Sequence, residues 1–414
     1  MVKSWMTRGV ALVSLVVILS SCNEVCKKSC SAKGKDGMDI KKSAFGKTPD
    51  GKAVDVYTLT NSHGLEARII TYGGTVISLK VPDRTGKLGD VVLGHNSLEK
   101  YVEPNHAGSP YFGCIIGRYG NRIGKGTFTL DGKTYTLATN DGRNHLHGGK
   151  AGFDQKVWKA EAVKGKEDVA VKLSYTSKDM EEGYPGSLKV AVTYTLNDKD
   201  ELRIDYEATT DKPTVCNLTN HSYWNFTGAE RDILDHELMI NADQTTPVDS
   251  GLIPTGELRS VEGTPFDFRK PKKIGQDVTA DDEQIKFGGG FDHNWVLRKR
   301  GNDLSLAARV AEPTTGRVME IYTTEPAIQF YCGNFLDGKI TGKDGRSTST
   351  GMRSAWRPST IRIHPTSPTG RPRSCVQARP IRPRRSTSSS PGSPGAENRT
   401  PFVKRYEYGY TPAH

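Results

Sequence analysis

The stretch 188–208, LKVAVTYTLNDKDELRIDYEA, decides the fold class. Leu188, Val190, Val192, Tyr194 and Leu196 alternate with exposed-type residues, and after Asn197-Asp198-Lys199-Asp200 the alternation resumes at Leu202, Ile204, Tyr206 and Ala208. A period of two around a polar turn predicts an antiparallel hairpin with one buried face. Outward from it the same signal repeats. Asp131-Gly132 between Thr127–Leu130 and Thr134–Leu137 reads as a second hairpin. Val54–Thr60, Leu65–Ile70, Thr75–Val81, Val169–Thr176, Leu234–Ala242 and Ile328–Tyr331 are further strand candidates. No helical period lasts beyond a couple of turns, and there is no internal repeat. Many short strands with Gly/Asp turns imply an all-β, antiparallel sandwich.

The net charge of +11 is confined to one end. Of the 58 Lys+Arg and 47 Asp+Glu, 13 and 2 lie after Gly345, so residues 1–345 hold 45 of each sign. A neutral body with a basic tail is no electrostatic footprint for nucleic acid. At the other end Lys3 and Arg8 precede an apolar run from Val10 to Leu19, which is short for a bilayer span. It closes on Leu19-Ser20-Ser21-Cys22, similar to a bacterial lipoprotein cleavage box. The expectation is a signal segment over 1–22 with Cys22 lipidated, and hence an exported protein anchored to a membrane by lipid. An ordinary secretory signal with an incidental cysteine is the other reading. Residues 23–44 are Lys/Ser/Gly-rich and read as a flexible tether. The seven cysteines suggest no disulfide framework or zinc spacing.

Four runs carry the chemistry. Thr219-Asn220-His221-Ser222-Tyr223-Trp224-Asn225-Phe226 combines an imidazole, hydroxyls, amides and aromatic rings, the inventory of a site that moves a proton on a polar ring-shaped ligand. The others are Arg118-Tyr119-Gly120-Asn121-Arg122, Asn144-His145-Leu146-His147-Gly148-Gly149 and Phe291-Asp292-His293-Asn294-Trp295. Arg122 supplies a fixed planar donor array, Asn121 donates and accepts, and Gly148-Gly149 permit close backbone approach. His145 reads as an exposed bystander. Asp292 after Gly288-Gly289-Gly290 also suits an Asx turn, and Trp224 and Trp295 suit either a ligand face or the core.

In this order, from about Phe45 to about Gly345, these runs resemble the aldose 1-epimerase (galactose mutarotase) family. The resemblance implies a galactose-mutarotase-like β-sandwich (supersandwich) over 45–345. It further implies an isomerase that interconverts the anomers of free hexoses, with no cofactor and no metal. By it His221 is the general acid, His147 the second catalytic histidine, and Asn121, Arg122, Tyr223, Asp292 and Gln329 are substrate-binding residues. The implied partner is a small sugar; the oligomeric state is left open. A polysaccharide lyase or hydrolase on a related sandwich needs a longer cleft and more acid/base groups than are evident.

The resemblance stops after Gly345. Between Arg346 and Ser390 there is no Lys, Asp or Glu, and Arg, Ser, Pro and Thr dominate. One reading is a disordered basic tail over 346–414. The other is translation out of frame. With each codon begun one base earlier, Trp356 to Pro365 permits Leu-Glu-Thr-Gln-His-Tyr-Pro-Asp-Ser-Pro-Asn, similar to the family segment bearing its glutamate base. Cys375 to Arg382 likewise permits Leu-Arg-Pro-Gly-Xaa-Thr-Tyr, similar to the family's final strand. The chain as written then retains the acid and lacks the base, and a carbohydrate-binding lipoprotein without catalysis is the alternative function.

Overall fold

The structure, a computed structural model, describes residues 37–299, 301–336 and 338–345, with the backbone of strands Arg362–Thr366, Pro380–Ile381 and Phe402–Pro412. The signal segment, Cys22 and the shifted-frame run from Trp356 to Ile361 lie outside these residues. The 188–208 hairpin forms as read: Leu188–Asn197 pairs with Glu201–Thr210, from Leu188 opposite Thr210 to Leu196 opposite Leu202. Asn197 Oδ1 closes its turn by accepting from the Lys199 and Glu201 amides. In the second hairpin Asp131 and Gly132 both take positive φ, 51° and 77°, between Leu130 and its partner Lys133. This is the backbone that an Asp-Gly pair adopts at least cost.

Three antiparallel sheets share one core. The first is a meander of Asp39–Lys47, Ala53–Thr60, Glu66–Ile70, Thr75–Pro82 and Leu88–Asp90. The largest has nine strands, in the order Lys159–Lys164, Asp168–Ser177, Leu188–Asn197, Glu201–Thr210, Phe402–Pro412, Arg317–Thr323, Ser305–Glu312, Glu237–Ile240 and Lys272–Lys273. The third runs Arg259–Ser260, Ala242–Thr246, Asp292–Leu297, Ala327–Tyr331, Arg362–Thr366. Leu59 and Leu79, Val192 and Tyr194, and Trp295 and Phe330 bring the three inner faces into one cluster. Among the described residues the one α-helix is Glu283–Gly288, capped by the Asp282 carboxylate at its start and by left-handed Gly289 at its end.

Three boundaries differ from the sequence reading. Asp39–Lys47, of which residues 39–44 fall in the segment read as tether, is an edge strand paired with Ala53–Thr60. Its side chains are mostly exposed, so it shows no apolar alternation; charged residues suit an edge. The run Leu234–Ala242 is two strands rather than one. The chain passes at Asn241 from the large sheet to the third, with the Asn241 amide donating to Ala307 O and its Nδ2 to Leu306 O. Finally, Phe402–Pro412 lies inside the segment read as a tail, yet its backbone pairs with both Glu201–Thr210 and Arg317–Thr323. Those two strands would otherwise present open ladders, and a β-prone Tyr-rich run fills the gap.

Acid stability follows from the buried histidines. Burial holds His106, His236 and His293 down at about 4 from an ordinary 6.5. As pH drops below 6.5 the unfolded chain takes up these protons first, so their contribution to stability is lost between about 6.5 and about 4. Asp154, pushed up to about 7 by burial, works in the opposite sense from 3.8 upward. Three groups outweigh one. The urea midpoint should therefore fall by at least about 1 kcal/mol equivalent from pH 7 to pH 4.5; a midpoint that rises on acidification contradicts this balance.

Candidate active site

Backbone pairing brings three of the four runs together. Thr219–Asn220 pairs antiparallel with Ile115–Ile116, and Tyr119 bridges Asn217 in parallel, so 217–221 runs beside 114–118 with Gly120 donating to Asn217 O. His145–Leu146 pairs in turn with Arg122–Ile123. His221 is fully buried; its amide donates to Cys114 O at 2.9 Å and its carbonyl accepts from Gly113 N at 3.0 Å. Asn220 fixes the loop from within. Its Nδ2 donates to Gly113 O (2.8 Å) and Tyr194 Oη (3.2 Å), and its Oδ1 accepts from Ser222 N (2.9 Å).

His147 is locked to Asn121 in both directions. The His147 amide donates to Asn121 O at 3.1 Å, and the Asn121 amide donates to His147 Nδ1 at 3.0 Å. Both residues take positive φ, 52° and 66°, a strained choice for non-glycine residues. Because Nδ1 accepts, a neutral His147 carries its proton on Nε2 and is a donor there. The His147 and His221 rings meet edge to face, centroids 4.9 Å apart. Two nitrogen heterocycles at this spacing can hold a proton donor and a polar contact on one sugar-sized ligand.

Arg122 Nε donates to Asp141 Oδ2 at 2.6 Å, and Nη1 approaches Asn121 Oδ1 at 3.4 Å. Asp141 thus orients the guanidinium. Asp292 lies on a strand rather than in an Asx turn, opposite Tyr331, and its Oδ1 accepts from Gln329 Nε2 at 2.8 Å. This buried pair connects to the histidines through rings: Tyr331 to Tyr223 at 6.0 Å and Tyr223 to His221 at 5.2 Å. The Tyr223 hydroxyl donates to Pro110 O at 3.2 Å.

Several residues of the runs are structural. Trp224 and Trp295 are core side chains, the latter donating from Nε1 to Phe266 O. His145, expected exposed, is buried between Ala138 O and the Tyr184 hydroxyl, each 2.7 Å from a ring nitrogen, because its strand pairs inward with Ile123. The buried Arg118 is stitched to Ser177 Oγ and to the carbonyls of Ser177, Lys178 and Pro185. Gly148 admits close approach, but to this chain's own backbone: a Cβ there would stand 1.9 Å from Gly117 O. Tyr111 lies outside the runs that the sequence singled out. Its ring packs 4.8 Å from His147 and 5.4 Å from His221. Among the described residues no group of three or more His, Cys, Asp or Glu is arranged to hold a metal ion.

The family described as aldose 1-epimerase matches residues 55–363, past Gly345 where the motif resemblance ends. Galactose mutarotase from Sus scrofa is 47% identical over 309 residues, 74% of this chain and 86% of that protein. Aldose 1-epimerase from Escherichia coli (strain K12) is 40% identical over 290 residues, 70% of this chain and 82% of that protein. Among solved structures, galactose 1-epimerase from Lactobacillus acidophilus NCFM superposes with TM-score 0.73 at 26% identity, covering 91% of this chain and all of that one.

The two arginines of one run should separate by substitution. Arg118→Met leaves buried acceptors without a donor and should cost at least about 3 kcal/mol in urea unfolding. Arg122→Met removes a partly exposed ion pair and should cost about 1 kcal/mol or less. Equal losses would place both in the scaffold.

Proposed function

The chain belongs to the aldose 1-epimerase family, and from that premise we propose that it interconverts the α and β anomers of free hexoses. Ring opening needs a base for the C1 hydroxyl proton and an acid for the ring oxygen, and closure exchanges the roles. His221 serves as the acid. His147, a donor at Nε2, holds a sugar oxygen beside it. Arg122 with Asn121, Tyr223, and Asp292 with Gln329 supply the polar contacts that orient the ring. The observation that carries this reading is the edge-to-face His147–His221 pair with the His147 tautomer fixed by Asn121.

The base is the weak point. Between Asp344 and Glu397 the sequence holds no acidic residue, which supports the shifted reading frame proposed from the codons after Gly345. It also favours a second reading, a sugar-binding lipoprotein without turnover. We further propose lipidation at Cys22 and an exported, membrane-anchored location. Palmitate labelling that persists in Cys22→Ala would refute that anchor.

Polarimetry of freshly dissolved α-D-galactose and α-D-glucose tests the reaction. The chain as written should run about 10²–10⁴-fold slower than a version with the frame restored, the worth of a positioned base. His221→Ala in the restored version should lose a comparable factor while retaining galactose binding. Full activity in the chain as written would refute the missing-base account. Binding without acceleration in both versions would favour the second reading.

A further inference from the structure

Asp154 is a buried carboxyl that the proposed reaction does not use. It sits in the short turn Phe153–Gln155, 6% exposed, and its Oδ1 has no hydrogen-bond partner among the described residues. Two glycines leave room for it. A Cβ on Gly152 would stand 2.7 Å from Asp154 Oδ1 and 2.9 Å from His147 O, so the carboxyl and the His147 backbone flank the same glycine. A Cβ on Gly73 would stand 2.4 Å from Asp154 O.

The other carboxyl oxygen faces His106. Asp154 Oδ2 lies 3.7 Å from His106 Nδ1. Gln155 Nε2, which only donates, is 3.4 Å from His106 Nε2. His106 Nε2 therefore accepts, and the neutral ring carries its proton on Nδ1, toward Asp154. The His106 ring also packs on Tyr111, centroids 4.0 Å apart and tilted 30°. Tyr111, at φ 61°, presses against both His147 and His221. An unbroken run of contacts thus leads from a buried acid to the two histidines.

We propose that Asp154 is a positioning residue for His147 and His221, acting through His106 and the Tyr111 ring. The proposal rests on the reading of the histidine pair as the sugar site. Burial pushes the Asp154 carboxyl up to about 7 and His106 down to about 4. Between those values the pair is a neutral acid beside a neutral imidazole, and 3.7 Å is too long for a hydrogen bond. Above about 7 the acid becomes a carboxylate and attracts the Nδ1–H more strongly, seating His106 and Tyr111 more firmly. Other groups facing Asp154 do not supply this change. Lys156 is paired with Glu181 at 2.9 Å, and Glu182 accepts from the Lys150 and Ala151 amides. The Tyr72 and Tyr111 phenols are raised by burial and stay protonated.

Imidazole NMR of the full chain from about pH 5.5 to about 8.5 brackets the titration. Wild type, the size-matched Asp154→Asn and His106→Gln are compared. The His147 and His221 signals of wild type should show an inflection near 7 that both variants lack. Galactose affinity in wild type should be about threefold to tenfold tighter above the inflection than below it, whereas Asp154→Asn stays at the weaker value throughout. His147 and His221 signals that follow the same curve in wild type and Asp154→Asn would overturn the proposal. Failure of wild type to bind galactose at any pH would instead overturn the sugar-site reading, and the NMR comparison still decides the positioning role.

Discussion

The side-chain amide of Asn220 is the constraint on which the site depends. One buried group donates to Gly113 O and Tyr194 Oη and accepts from Ser222 N. Tyr194 stands on the central hairpin of the large sheet, and its hydroxyl donates onward to Gly74 O, in the turn between Glu66–Ile70 and Thr75–Pro82 of the first sheet. Two sheets and the loop that carries His221 are therefore tied at one point. Each of these groups is buried, so leaving any unpaired would cost about 1–3 kcal/mol. A hydrogen-bond set with every member satisfied specifies one arrangement, which apolar packing alone does less sharply.

Around that point the site is held by backbone rather than by long side chains. His221 is fixed through Cys114 and Gly113, and His147 through Asn121, with ordinary hydrogen-bond lengths. Such holding fixes where the two rings stand, and for His147 it also sets Nδ1 as an acceptor. It also explains why neighbouring residues in one run have opposite tasks. Arg118 directs its donors at scaffold acceptors around Ser177, Lys178 and Pro185, whereas Arg122, four residues on, is steered by Asp141.

The hairpin at 188–208 and the Asp131-Gly132 turn were legible because local chemistry decides them: period-two burial and a backbone that favours Asp-Gly. The site motifs were legible because their residue types are chemically unusual together. What escaped was everything set by partners far along the chain. Asp39–Lys47 has no buried face and so no pattern. His145 looks like any polar neighbour until its strand turns inward. Asn241 gives no sign that the chain changes sheets there. Tyr111, His106 and Asp154 come from separate loops, and only the folded geometry stacks them. The strand Phe402–Pro412 had an aromatic, period-two texture, but the basic composition before it masked that signal.

That strand has a consequence for how the molecule comes together. Among the described residues it is the seam between Glu201–Thr210 and Arg317–Thr323 in the nine-stranded sheet. Without that strand the sheet would divide into two leaves, each with one unpaired inner ladder. The contacts that join the leaves link positions far apart in the chain, Glu201 with Gly409 among them, and loop-closure entropy makes such contacts slow to form. The large sheet is therefore closed in its middle by a segment from the far end of the chain, not extended by one at its rim.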